Sequence, residues 1–143
     1  MNISLGADHA GFAYKEKARQ FLIEEGHTVL DHGTHTEGSV DYPDFVHPVA
    51  EDIESSTSEL GLVFCGSGNG VAMTANKHQS IRAAIAWNAD LSRLARQHND
   101  ANVLSVPARF ISWEEAKNII EEFIKTPFEG GRHERRVNKI SCA

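Results

Sequence analysis

Leu60-Gly61-Leu62-Val63-Phe64-Cys65-Gly66-Ser67-Gly68-Asn69-Gly70-Val71 opens as a short apolar run, the pattern of a strand buried on both faces. Glycines then stand at positions 66, 68 and 70, and helix-compatible sequence resumes at Val71-Ala72-Met73. A strand, a glycine-rich turn and a helix start together make a site for an anion or oxyanion. Glycines let the backbone approach closely, and the first N–H groups of the helix have no partner within it. Cys65 at the strand's carboxyl end sets this turn apart from an ordinary phosphate loop, because a thiol beside a positive helix terminus favours the reactive thiolate. The turn lacks the Lys-Ser/Thr ending of a Walker loop and the spacing of a dinucleotide fingerprint. A strand-end cysteine also serves as a small buried hydrophobe, and Gly68 and Gly70 also serve tight helix-on-strand packing. The rest of the chain decides between these readings.

Working outward, 143 residues suit one domain, 1–143, with enough chain to bury a core. The formal charge of -6 argues against a general nucleic-acid binder, although basic residues gather near the C-terminus. Cys65 and Cys142 are too few for a disulfide scaffold, and neither a signal peptide nor a long apolar span is visible. The expected setting is the cytoplasm, with reduced thiols and no membrane partner. His27, His32, His47 and His78 fall in no ligand-like spacing, and Asp31-His32-Gly33-Thr34-His35 reads as a solvated loop. No metal or other cofactor is expected.

Taken in order, Asn2 to Gly6 reads as a first strand, and Asp8-His9-Ala10-Gly11 as a turn. Phe12 to Glu25 has helical period with Phe12, Ala18, Phe21 and Leu22 on one side, and Gly26 ends it. Thr28-Val29-Leu30 is a second strand, and a helix over Phe45 to Ile53 follows the Pro43-Asp44 start signal. Beyond the glycine turn and its short helix into Asn76-Lys77 come a strand over Ile81 to Ala86 and a helix over Ala89 to Gln97. That helix is expected to turn Leu91, Leu94 and Ala95 inward. A strand over Val103 to Val106 leads to a helix capped by Ser112 and Glu115 and running to about Lys125. After Pro127 and Gly130-Gly131 a basic helix runs from Arg132 to about Ile140. Five strands alternating with helices imply an α/β fold: a three-layer, doubly wound, Rossmann-like sandwich with a parallel sheet and a C-terminal helical arm. Ligands of such sheets lie beyond the carboxyl ends of the strands, which gathers Asp8-His9 with Cys65 to Gly70.

With these segments in view, the chain resembles the ribose-5-phosphate isomerase B family, which also includes galactose-6-phosphate isomerase subunits. The resemblance is carried by Gly6-Ala7-Asp8-His9-Ala10-Gly11-Phe12, Asp41-Tyr42-Pro43, Cys65-Gly66-Ser67-Gly68-Asn69-Gly70 and Ala75-Asn76-Lys77. It continues through Arg96-Gln97-His98-Asn99-Asp100-Ala101-Asn102-Val103-Leu104 and Glu129-Gly130-Gly131-Arg132-His133-Glu134-Arg135-Arg136. These stand in the family's order and span almost the whole chain.

The resemblance implies interconversion of an aldose phosphate and its ketose through an enediolate, without metal. Cys65 as thiolate would be the base, and the N–H groups of Gly66, Gly68, Asn69 and Gly70 would meet the developing oxyanion. Ser67 would hydrogen-bond or shuttle a proton, and it also suits a helix cap. The family assigns ring opening to the histidine matching His98, with the aspartate matching Asp8 nearby. Asn99 would bind a hydroxyl or the oxyanion. Tyr42 matches a site tyrosine, though a ring packed before Pro43 explains it as well. Arg132 and Arg136, four apart on one helical face, suit a phosphate, joined by His9 and more weakly by Arg109. Without the resemblance, this basic helix reads as a solvated surface or a subunit contact. The resemblance further implies a homodimer or dimer of dimers with shared sites, His98 and Cys65 coming from different chains.

Three functions remain open at this point. One is isomerisation of ribose 5-phosphate, and the second is the same chemistry on a six-carbon allose or galactose 6-phosphate. The third is a non-catalytic sugar-phosphate sensor, which the joint presence of Cys65, Ser67 and His98 disfavours.

Overall fold

The computed structural model describes residues 1–142. Its elements are β1 (Asn2–Ala7), α1 (Phe12–Glu24), β2 (Thr28–Asp31), α2 (Pro43–Glu54), β3 (Leu60–Cys65), α3 (Asn69–Ala75), β4 (Ala83–Ile85), α4 (Ala89–Asn99), β5 (Val103–Pro107), α5 (Trp113–Lys125) and α6 (Arg132–Val137). The strands form one parallel sheet in the order β2-β1-β3-β5-β4. The expected α/β sandwich is therefore present.

The apolar run that opens the glycine turn is the central strand, and all of β3 is buried. Its alternation divides the core. Leu60, Leu62 and Phe64 face Ile3, Leu5, Leu22, Leu104, Ile119 and Phe123, the side covered by α1, α4 and α5. Val63 and Cys65 face Val46, Val49, Val71 and Ala75 of α2 and α3. Pairing of Leu5 with Leu62, Leu62 with Leu104 and Cys65 with Pro107 keeps three carboxyl ends level. Ser112 caps α5: its Oγ accepts from the Glu115 N–H at 3.1 Å, and Glu115 answers the Ser112 N–H, the expected capping box.

Three expectations need correction. The fourth strand is only Ala83–Ile85, because Ile81 closes a turn onto His78 and the Arg82 N–H donates to the Asn102 side chain. The C-terminal helix stops at Val137 rather than near Ile140. On α4, Ser92 and Ala95 face the protein while Leu91 and Leu94 are 44% and 36% exposed. Close packing of α4 on α5 selects the small side chains, and Ser92 Oγ donates to the Ile119 carbonyl at 2.8 Å.

On α1 the buried face is Lys15, Ala18 and Leu22, with Phe12 and Phe21 only half-buried. Lys15 has no exposed surface, and its Nζ donates to both oxygens of Asp31 at 2.8 and 2.7 Å and to Glu16 Oε1 at 2.7 Å. That bond, more than any other influence, holds the Glu16 carboxyl below its ordinary pKa. The resulting stabilisation is present above the usual carboxylate range and is lost as the pH falls through the lowered pKa.

Candidate active site

At the carboxyl edge of the sheet, α1 leaves β1 over one face and α3 leaves β3 over the other, opening a crevice between them. Asp8 follows β1 and donates its backbone N–H to the Phe64 carbonyl at 3.2 Å, next to Cys65. Its Oδ1 accepts from the N–H groups of Ala10 and Gly11 at 2.9 and 3.0 Å, which fixes the carboxylate at the entry to α1. His9 Nδ1 accepts from the Val40 N–H at 3.3 Å, which ties the loop between β2 and α2 to the crevice.

Cys65 is nearly buried at 5% exposure, and its Sγ accepts from the Gly68 N–H at 3.1 Å. The bond needs Gly68 at φ +79°, a conformation that side chains rarely adopt. Ser105 Oγ holds the turn from β5 by donating to the Gly68 carbonyl at 2.6 Å. Ser67 Oγ accepts from the Asn69 N–H at 3.2 Å inside the turn, but Gly68 holds the cap position of α3, so Ser67 is not the helix cap it was also read to suit. Two of the turn's N–H donors are thus engaged by its own side chains.

The walls are close. A Cβ on Gly70 would stand 2.5 Å from the Tyr42 ring, so Tyr42 lies on the turn itself. Gly66 faces Arg109, whose Cδ is 3.0 Å from where a Cβ would be and whose N–H donates to the Gly66 carbonyl at 3.0 Å. Asp8, His9, Tyr42, Cys65, Gly66, Ser67, Gly68, Asn69, Gly70 and Arg109 therefore gather at one edge.

His98, Asn99, Arg132 and Arg136 do not join them. Between parallel strands β4 and β5, α4 must run back toward the strands' amino ends, and His98 and Asn99 close its last turn there. With β5 rising about 3.3 Å per residue, the two groups are roughly 15 Å apart along the strand direction. The His98 ring stacks on His133 with centroids 4.2 Å apart and planes inclined 14°. Glu129 donates its N–H to the Gln97 carbonyl at 3.1 Å and places Oε1 3.7 Å from His133 Nε2. Arg132 and Arg136 are exposed on α6, where Arg136 Nη1 donates to the Arg132 carbonyl at 3.1 Å. Loss of solvent around the ring lowers the His133 pKa, and the charges of His98 and Arg132 lower it further. His9 stands with the cysteine, apart from the arginines it was expected to assist.

Two positions escaped the sequence reading. Ser105 interrupts the apolar run Val103-Leu104-Ser105-Val106, and that lone hydroxyl was the available signal. Glu129 sits on an irregular segment whose closeness to His98 no local pattern encodes. In the loop read as solvated, Asp31 and His35 do meet Glu16, but Lys15 already holds both acids.

A ribose/galactose isomerase family model matches residues 3–140. The chain is 40% identical to a probable ribose-5-phosphate isomerase B of Mycoplasma genitalium, over 97% of this chain and 93% of that one. A crystal structure of a ribose 5-phosphate isomerase from Thermotoga maritima superposes with a TM-score of 0.96 at 46% identity, covering 98% of this chain and 97% of that one. The Mycoplasma genitalium isomerase solved with bound ribulose 5-phosphate superposes with a TM-score of 0.93 at 40% identity, covering 97% and 93%.

Proposed function

The chain belongs to the ribose/galactose isomerase family, and we propose that it interconverts ribose 5-phosphate and ribulose 5-phosphate, as one catalytic domain over residues 1–143 in the cytoplasmic pentose phosphate pathway. The observation that carries this reading is the Gly68 N–H held on Cys65 Sγ at the carboxyl end of β3.

The chemistry follows from that sulfur. His98, assisted by Asp8, moves the proton of the anomeric hydroxyl and opens the sugar ring. The Cys65 thiolate then removes the proton on C2, and charge develops on the carbonyl oxygen as the enediolate forms. Free N–H groups of the Gly66 to Gly70 turn, with Asn99, meet that charge; loss of one such donor typically costs about 3–4 kcal/mol. Ser67 passes a proton between the two oxygens, and return of the carbon-bound proton to C1 completes the ketose. Arg132, Arg136, His9 and Arg109 hold the phosphate, and Tyr42 closes the wall over the turn.

Separation of the two groups by the length of a strand supports a homodimer in which each site takes Cys65 from one chain and His98 from the other. Trp87, Leu91, Leu94 and Phe110 give an exposed apolar surface suited to that contact, with Trp87 and Phe110 packed edge to face at 5.8 Å. A dimer of dimers uses the same unit.

Turnover of five- and six-carbon aldose phosphates in excess chelator tests the reading. Ribose 5-phosphate is expected to give the highest kcat/KM, unaffected by the chelator. Higher turnover of a six-carbon phosphate, or loss of activity restored by a divalent ion, would overturn it.

A further inference from the structure

His98, Glu129 and His133 are a second set of chemically competent side chains, and the scheme above uses only the first. Each offers a ligand atom within 4.8 Å of the other two. We propose that these three residues form a binding site for a divalent transition metal of the zinc class, occupied at the expense of substrate.

The backbone under the set is fixed. Glu129 is tied to Gln97, the neighbour of His98, and the His133 N–H donates to the Gly130 carbonyl at 3.1 Å at the start of α6. Zinc bonds of about 2.0–2.2 Å in tetrahedral geometry put ligand atoms about 3.4 Å apart, so the two stacked rings turn out of parallel to aim their lone pairs at one ion. Two imidazoles with one carboxylate select zinc, copper or nickel over magnesium and calcium, which take oxygen ligands. Three protein ligands leave a position open to water. In contrast, the Glu16, Asp31 and His35 set has the Lys15 ammonium where a cation would stand. Arg132 and Arg136 flank the proposed site and weaken it, which makes the metal exchangeable rather than structural. A metal on His98 takes the lone pair that ring opening needs, so zinc inhibits. That consequence rests on the proposed isomerase function; the binding does not.

The test is a cobalt(II) titration of the metal-free protein, followed by visible absorption, together with zinc inhibition of the isomerase. One cobalt per chain is expected, displaced by zinc, with inhibition reversed by chelator. Glu129→Gln and His133→Gln are expected to keep basal turnover and to need at least about tenfold more metal for both effects, the loss of one ligand of three. Absence of cobalt bands at millimolar metal overturns the proposal. So does a thiolate-to-cobalt charge-transfer band, which would place the metal on Cys65 or Cys142. Unchanged binding in both variants, or binding that leaves turnover untouched, overturns it as well. If a variant fails to fold, paramagnetic broadening of the His98 and His133 ring signals in the unaltered protein decides. An inactive protein that still binds cobalt through these rings overturns only the isomerase reading.

Discussion

Cys65→Ala lowers kcat for ribose 5-phosphate by about 10²–10⁴-fold, the contribution of a placed general base, while KM moves little. The sulfur is nearly buried beside Val63 and against Val71 and Ala75, so the alanine leaves only a small void in that packing. What it removes is the acceptor of the Gly68 N–H and the base that acts in the transition state. Cys65→Ser separates shape from acidity: a hydroxyl fits the turn and accepts the same N–H, yet it ionises far less readily and is expected to be nearly as slow. The measurement is steady-state kinetics with folding checked by thermal melting. A Cys65→Ala protein with near-normal kcat would make the cysteine a packing residue and require another base.

The second large effect is on stability. Lys15→Ala leaves Asp31 without the ammonium that contacts both its oxygens, and removing one partner of a buried ion pair costs about 3–5 kcal/mol. For a domain of this size that lowers Tm by roughly 10 °C or more. Asp31 Oδ1 also accepts from the Gly33 N–H at 2.9 Å, and Ala7 donates to the Gly33 carbonyl at 2.7 Å. The damage therefore sits directly beneath Asp8. Lys15→Met with Asp31→Asn removes both charges and is expected to recover much of the loss. A melt of the single variant within a degree or two of the unaltered protein would show that the pair is dispensable.

The sheet was legible because its strands announce themselves. β3 and β5 are apolar runs closed by Gly or Pro, and five such runs alternating with helical periods leave few arrangements. Edge elements were less so: β4 has one neighbour, and the apolar run through Ile81 overstated it. Leu91 and Leu94 misled for a different reason. Periodicity marks the apolar face of a helix without saying which partner covers it, and α4 turns its small face to its own chain. Lys15 was invisible because no local pattern tells a lysine aimed at Asp31 from one aimed at water.

The candidate site divides the same way. Asp8 and the Cys65 turn fall together by topology alone, since both follow neighbouring strands at the same edge. Arg109 joins the same way, two residues past β5, which pairs with β3, whereas Tyr42 joins through the long connection between β2 and α2, whose course the sequence does not encode. His98 is placed at the opposite edge by the direction α4 must run between β4 and β5.

Mixing tests this separation most directly. Cys65→Ala and His98→Ala proteins, each inactive alone, are combined under conditions where subunit exchange is verified by mass-labelled chains. In a mixed dimer one shared site carries both defects and the other carries neither. The account predicts that activity returns to roughly a quarter of the unaltered level per chain at random mixing. Verified exchange with no return of activity would show that each site is built within a single chain.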